Sequence, residues 1–206
     1  MKVLLQRWNL VVLMTVILIG LCVSVIYSNQ DLVEGVRAGI RITARSSLIM
    51  FCLAFVASAL QAVLKNNFTA WLQQQRRFLG LSFGVSHLIH GILIIAFARL
   101  DPILFHANTN LSTYIFGITG YVFIFLMLLT SFHGPSQWIG PAKWKALHRT
   151  GGYVIWFVFF SGSLKRALTV SSAYWGIVAV LATVIALRLY YRHKKIEKFK
   201  TLKFIY

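Results

Sequence analysis

Apolar residues come in six long runs along the chain, and charged, amide and turn-forming residues gather between them. The runs cover roughly 10–27, 42–64, 78–98, 114–131, 144–164 and 173–191. Each is near the ~20 residues that a helix needs to cross the hydrocarbon core of a bilayer. Segment 29–41, with Asp31, Glu34 and Arg37, reads as a polar connector. Segment 65–77, with Asn66, Asn67 and Gln73 to Gln75, reads as another. Asp101-Pro102 predicts the end of the third helix, because proline lacks a donor and restricts the residue before it. His133-Gly134-Pro135 through Gly140-Pro141 predicts a turn-rich loop. The expected fold is all-α, a polytopic membrane protein with a bundle of six transmembrane helices. No linker divides residues 1–206, so a single transmembrane domain is expected.

Composition agrees: 58% of residues are hydrophobic, 12% are charged, and the mean hydropathy is +0.74. A soluble globular domain does not look like this. The net charge of +17 does not imply nucleic acid, because the basic residues sit at the edges of apolar runs, where they anchor helices. A signal peptide does not suit the first run, which is long and lacks a small-x-small cleavage site after it. Cys22 and Cys52 both fall within apolar runs and predict buried free thiols rather than a disulfide framework. With both termini and the second and fourth connectors on one side, that side holds 15 Lys and Arg against 6 on the other. The positive-inside rule then places both termini in the cytoplasm. The basic tail, 192–206, reads as a topogenic segment that contacts lipid headgroups. A multi-pass protein of a bacterial inner membrane is expected.

One run carries candidate chemistry. It begins at Arg76-Arg77 and reaches His87 and His90, three residues apart and so on one broad helix face. His90 lies roughly 18 Å along the helix from Phe78 at ~1.5 Å per residue, which predicts a position near mid-membrane. An ionisable side chain there is a functional-site hypothesis by default. His148 stands near the start of the fifth run, whose helix would run parallel to the third. Facing imidazoles on parallel helices suit a six-coordinate haem. Gly84 and Gly91 flank His87, while Gly151 and Gly152 follow His148, and missing side chains give a flat macrocycle room. The same glycines read as helix contacts, since Gly80-x-x-x-Gly84 is a small-residue packing motif. His106 and His133 read as solvated or interfacial groups and His193 as part of the basic tail. No soluble catalytic motif occurs, and all four acidic residues lie outside the runs. The latter argues against a carboxylate-coupled pump.

Two segments carry a resemblance. Arg76-Arg77-Phe78-Leu79-Gly80-Leu81 with His90, and Thr130-Ser131 with Trp138-Ile139-Gly140, Trp144 and Leu147-His148-Arg149, resemble the ferric reductase-like transmembrane domain family. Within it the likeness is greatest to the haem-binding membrane subunit of the periplasmic methionine-sulfoxide reductase system. The resemblance covers about 41–164. It implies a membrane cytochrome that passes electrons across the membrane to a reductase partner. By resemblance His90 and His148 are the metal ligands, and Arg77 matches the basic pair before the third helix. It implies one haem b rather than two, with FMN or quinone as further cofactors open to such a protein. Its implied partners are membrane lipid, a quinone or flavin-reductase donor, and an outer-face reductase.

The chain also departs from the family. A second histidine about thirteen residues into the fifth helix is absent, and Ser161 stands there. On the third helix the positions fourteen either side of His90 are Arg76 and Leu104. A haem-less membrane scaffold or interaction protein derived from the same family is therefore the alternative reading.

Overall fold

A computed structural model describes the backbone of residues 5–203 and side chains as far as Lys194. Lys2 and the tail side chains Lys195, Lys198, Lys200 and Lys203 lie outside the described residues. Among the described residues seven helices follow one another: α1 (Arg7–Ser28), α2 (Leu32–Leu64), α3 (Asn67–Leu100), α4 (Pro102–Asn108), α5 (Leu111–Leu129), α6 (His133–Thr169) and α7 (Tyr174–Lys203). Five of them, α1, α2, α3, α5 and α7, are long and apolar enough to cross a membrane. The all-helical, multi-pass membrane character expected from the apolar runs is thus present.

The connectors are shorter than their polarity suggested. Only Asn29 to Asp31 separate α1 from α2, because Asp31 caps the new helix, its carboxylate accepting from Val33 N and Glu34 N. Glu34 then pairs with Arg37 one turn on and lies 4.0 Å from Arg41, so the charges line one face instead of breaking the helix. At 65–77 only Lys65 and Asn66 leave the helix. Lys65 adopts φ +49, a left-handed stop. Asn66 Oδ1 accepts from Thr69 N at 2.9 Å while Asn66 N donates to Thr69 Oγ1, a reciprocal cap that starts α3 at once. The expected loop at 133–141 is also helical apart from Gly140, at φ +76 and ψ 160. Glycine takes that conformation at little steric cost, and Pro141 restarts the helix as a first-turn residue. The stop at Asp101-Pro102 is found where expected, with Asp101 capping α4 through Leu104 N.

The chain divides into two compact units, Met1–Phe51 with Arg77–Val158, and Cys52–Arg76 with Phe159–Tyr206. In the first, the early part of α2 meets α3 along a seam of hydroxyls. Thr43 and Ser47 are fully buried and Ser86 nearly so. Ser47 and Ser86 hydroxyls lie 2.8 Å apart, with Ser46 3.3 Å from the same oxygen. The Phe51 and Phe83 rings meet at a tilt, with centroids 5.4 Å apart. Glycines set the other contacts. A Cβ on Gly35 would come within 2.8 Å of the Ile26 carbonyl oxygen, so α1 and α2 touch backbone to backbone. Similar notches at Gly84, Gly91 and Gly151 receive Leu128, Tyr121 and Met127, all from α5. Lipid tails solvate leucine as well as a neighbouring helix does, so close approach and hydrogen bonds are what hold such helices together.

In the second unit, Leu72 and Leu181 are fully buried. Thr69 Oγ1 donates to Gln61, and the Arg188 guanidinium lies 4.0 Å above the Phe55 ring and donates to the Phe55 carbonyl.

Two outcomes follow for stability in detergent, read as thermal unfolding. Gly35→Ala should be destabilising by about 1–3 kcal/mol, because backbone must shift to admit the methyl, whereas Gly20→Ala, with nothing within 4 Å, should be neutral or stabilising by up to ~1 kcal/mol. Ser86→Ala should cost about 0.6–2 kcal/mol, the range of interhelical hydrogen bonds in membranes, and Ser46→Ala less.

Candidate functional site

His87 and His90 lie in the middle turns of α3, where the apolar run forces helix and the three-residue spacing brings their rings to centroids 5.0 Å apart. Both are half-buried. His90 Nδ1 is 3.0 Å from Thr43 Oγ1 and 3.2 Å from the Ile40 carbonyl oxygen of α2. A carbonyl can only accept, and the Thr43 hydroxyl already donates back to Gly39 O at 2.8 Å. Nδ1 therefore carries the proton, and Nε2 is the lone-pair nitrogen. That arrangement, with one ring nitrogen donating to backbone and the other bearing the lone pair, is how metal-ligating histidines are oriented. His87 turns the other way, toward α5, its ring 5.0 Å from that of Tyr121, while Tyr121 Oη donates to the His87 carbonyl at 3.1 Å.

His148 belongs to a different layer. Its Nε2 is 3.0 Å from Thr130 Oγ1, at the C-terminal end of α5. The Thr130 hydroxyl donates to Leu126 O at 2.7 Å, so His148 Nε2–H is the donor to it and Nδ1 bears the lone pair. Trp144, one turn before His148, stacks on the imidazole at 4.4 Å and donates its indole N–H to Thr130 O at 2.8 Å. Arg77 Nη2 donates to Ser131 O at 2.6 Å. The family-like segments thus meet in space: Arg77, Thr130, Ser131, Trp144 and His148 form one hydrogen-bonded cluster around the end of α5. Helix C-termini leave carbonyls without intrahelical partners, and this cluster serves them.

The two layers are far apart on the ruler that α5 supplies. Tyr121 marks the level of His87 and His90, and Thr130 marks that of His148. Nine residues at ~1.5 Å per residue separate them by about 14 Å. Axial imidazoles on one metal ion, at metal–nitrogen bonds of about 2 Å, need their nitrogens about 4 Å apart. His90 and His148 do not fit the two axial positions of a single haem iron. On α6 the residue beside Gly120, near the level of Tyr121, is Val158. Among the described residues, no group of three or more His, Cys, Asp or Glu side chains is placed to hold a metal ion.

The flanking glycines face α5. Leu128 carbon atoms would lie 2.7–2.8 Å from a Cβ on Gly84, and the Tyr121 hydroxyl 2.9 Å from one on Gly91. Gly152 is buried on α6, next to Gly151, whose notch takes Met127. The spaces at Gly84, Gly91 and Gly151, expected to admit a macrocycle, are taken by side chains. His106, His133 and His193 are exposed.

Sequence reasoning gave no role to Thr43, Ser47, Ser86 and Tyr121, which bind or flank His87 and His90 and join α2 to α3, and it quoted Thr130 only as part of a family-like segment. The signal was there in the hydroxyls of α2 at 43, 46 and 47 and of α3 at 82 and 86, each set on one helix face at three- or four-residue spacing.

No family model, no curated protein and no solved structure matches the chain.

Proposed function

We propose that the chain is a membrane subunit of the ferric reductase-like type that serves assembly or interaction without a bis-histidine haem of its own. The observation that carries this is the occupation of the α3 and α6 notches by Leu128, Tyr121 and Met127, together with histidine layers about 14 Å apart at ~1.5 Å per residue. In this reading the Arg77–Thr130–Trp144–His148 cluster ties α3, α5 and α6 together at one end, and the Thr43–His90 bond joins α2 to α3 further along.

The same proposal takes α6 as a sixth crossing. Its uncharged stretch, 150–164, is about 22 Å long at ~1.5 Å per residue, short of the ~30 Å hydrocarbon core. Arg149 and Lys165 at its ends have stems long enough to snorkel to the headgroups. Six crossings put both termini on one side, and the basic bias makes that side the cytoplasm of a bacterial inner membrane.

One observation favours a second reading, haem held by His90 as sole protein ligand. Nδ1 is anchored to Thr43 and Ile40, which fixes the ring and directs the Nε2 lone pair. Haem would supply one-electron transfer there, with a quinone or flavin reductase as donor and an outer-face reductase as acceptor. What this chain contributes in either case is orientation: α2 holds the imidazole through its second nitrogen.

Absorption spectroscopy on protein purified in detergent and then supplied with haem separates the readings. The scaffold reading expects no reducible Soret band above that of haem in empty micelles. A stoichiometric band that His90→Ala abolishes and His148→Ala leaves intact would replace it with the second. A band that needs both histidines would overturn both.

A further inference from the structure

We propose that Arg76 and Arg188 form a binding site for the phosphate of an anionic phospholipid. Both belong to the second unit, and both reach the same short stretch of α2. Arg188 donates to the Phe55 carbonyl and covers the Phe55 ring with its guanidinium, 4.0 Å from the centroid. Arg76 donates to Ser58 Oγ at 3.3 Å. Phe55 and Ser58 are one turn apart, about 4.5 Å along the helix at ~1.5 Å per residue. The two guanidinium groups are close enough to repel each other, and Tyr191 is a further electrostatic neighbour of Arg76.

Two guanidinium groups brought together from two helices make a cationic pair suited to an anion that bridges them. This unit's own sequence is poorly supplied: it contains eleven Lys and Arg and one acidic residue, Glu197. Guanidinium groups are suited to phosphate oxygens, because their planar N–H forks bind two oxygens at once.

Position selects the source of that phosphate. Arg76 stands two residues before Phe78, where the apolar run of α3 begins, and Arg188 stands near the end of the apolar run of α7, followed by Tyr190 and Tyr191. Tyrosine and arginine at the edge of apolar runs are the signature of the headgroup layer. Lys194, stacked over the Tyr190 ring at 5.1 Å, adds a cation one turn further on. Basic pockets between membrane helices of this kind take phospholipid headgroups. The site is distinct from the histidine layers and does not rest on the haem or scaffold reading.

Native mass spectrometry of the full chain, released from detergent micelles doped with phosphatidylglycerol or phosphatidylcholine, tests it. Wild type should retain phosphatidylglycerol at least tenfold over phosphatidylcholine. Arg76→Gln, a change at an exposed side chain, should reduce that preference severalfold, and Arg76→Gln with Arg188→Gln should abolish it. Lys198→Gln with Lys200→Gln in the tail should leave it within twofold, separating a site from general polybasic attraction. Equal retention of both lipids by wild type, or full retention by Arg76→Gln, would overturn the proposal, and the second criterion holds even if the double variant does not fold. Millimolar inorganic phosphate should not displace the lipid. Displacement by phosphate alone would assign the pair to a free anion and likewise overturn it.

Discussion

Two helices in a bilayer gain almost nothing by hiding leucine from lipid, so the fold depends on what lipid cannot offer: backbone brought close, and hydroxyls given partners. The seam between α2 and α3 is where this chain meets that condition most fully. Ser47 and Ser86 share a hydrogen bond with both side chains buried, and Thr43 is buried against His90. Thr43, Ser46 and Ser82 also bond back to their own helices, at Gly39 O, Ile42 O and Phe78 O, whereas Ser47 and Ser86 find their partners only across the seam. Pairing therefore gives the Ser47 and Ser86 hydroxyls the partners that their own helices do not, and sets the register without leaving an orphaned hydroxyl in lipid.

That seam decides what His90 can do. Its proton sits on Nδ1 because α2 presents a carbonyl and an already-committed hydroxyl to it, so only Nε2 can accept. The ring is thereby a positioned lone pair three residues from a second imidazole that faces α5. His148 is held by the same logic in reverse, through Nε2 and a committed threonine hydroxyl. The two histidines therefore offer opposite ring nitrogens at two levels, which suits two separate structural contacts better than one shared iron.

Much of the helical plan was legible in the sequence because the apolar runs are long and proline and glycine punctuate them. Asp101-Pro102 ended α3 as expected, and Gly140-Pro141 marks the break in α6. The connectors were less legible. Polar residues at 29–41 and 65–77 signal departure from the apolar layer, which is not departure from helix; caps at Asp31 and Asn66 let α2 and α3 run on through water-compatible turns. The candidate site was legible as a set of residues and not as a geometry. Spacing put His87 and His90 on one broad face, yet His90 turns to α2 and His87 to α5. The three-residue step rotates by 300°, leaving 60° between them at ~3.6 residues per turn. Glycine was the most ambiguous letter, since an absent side chain admits a macrocycle and a leucine equally well. Only the identity of the neighbour, Leu128 at Gly84, separates the two.

The cluster at the end of α5 bears on how such motifs are read. Trp144 and His148 are four apart, so indole and imidazole share a face and stack. The indole N–H goes to Thr130 O, the imidazole N–H to Thr130 Oγ1, and Arg77 crosses from α3 to Ser131 O. Three donors from two helices thus converge on the last turn of a third, where backbone acceptors lack intrahelical partners. A charged donor to a carbonyl contributes more than a neutral one, which gives Arg77 the leading part. Arg77, Thr130, Ser131, Trp144 and His148 therefore each have a structural reason to be where they are, independent of any cofactor. A histidine in that setting is evidence of chemistry only when its second nitrogen faces something to bind, and for His148 that nitrogen is Nδ1, on the side of the ring away from Thr130.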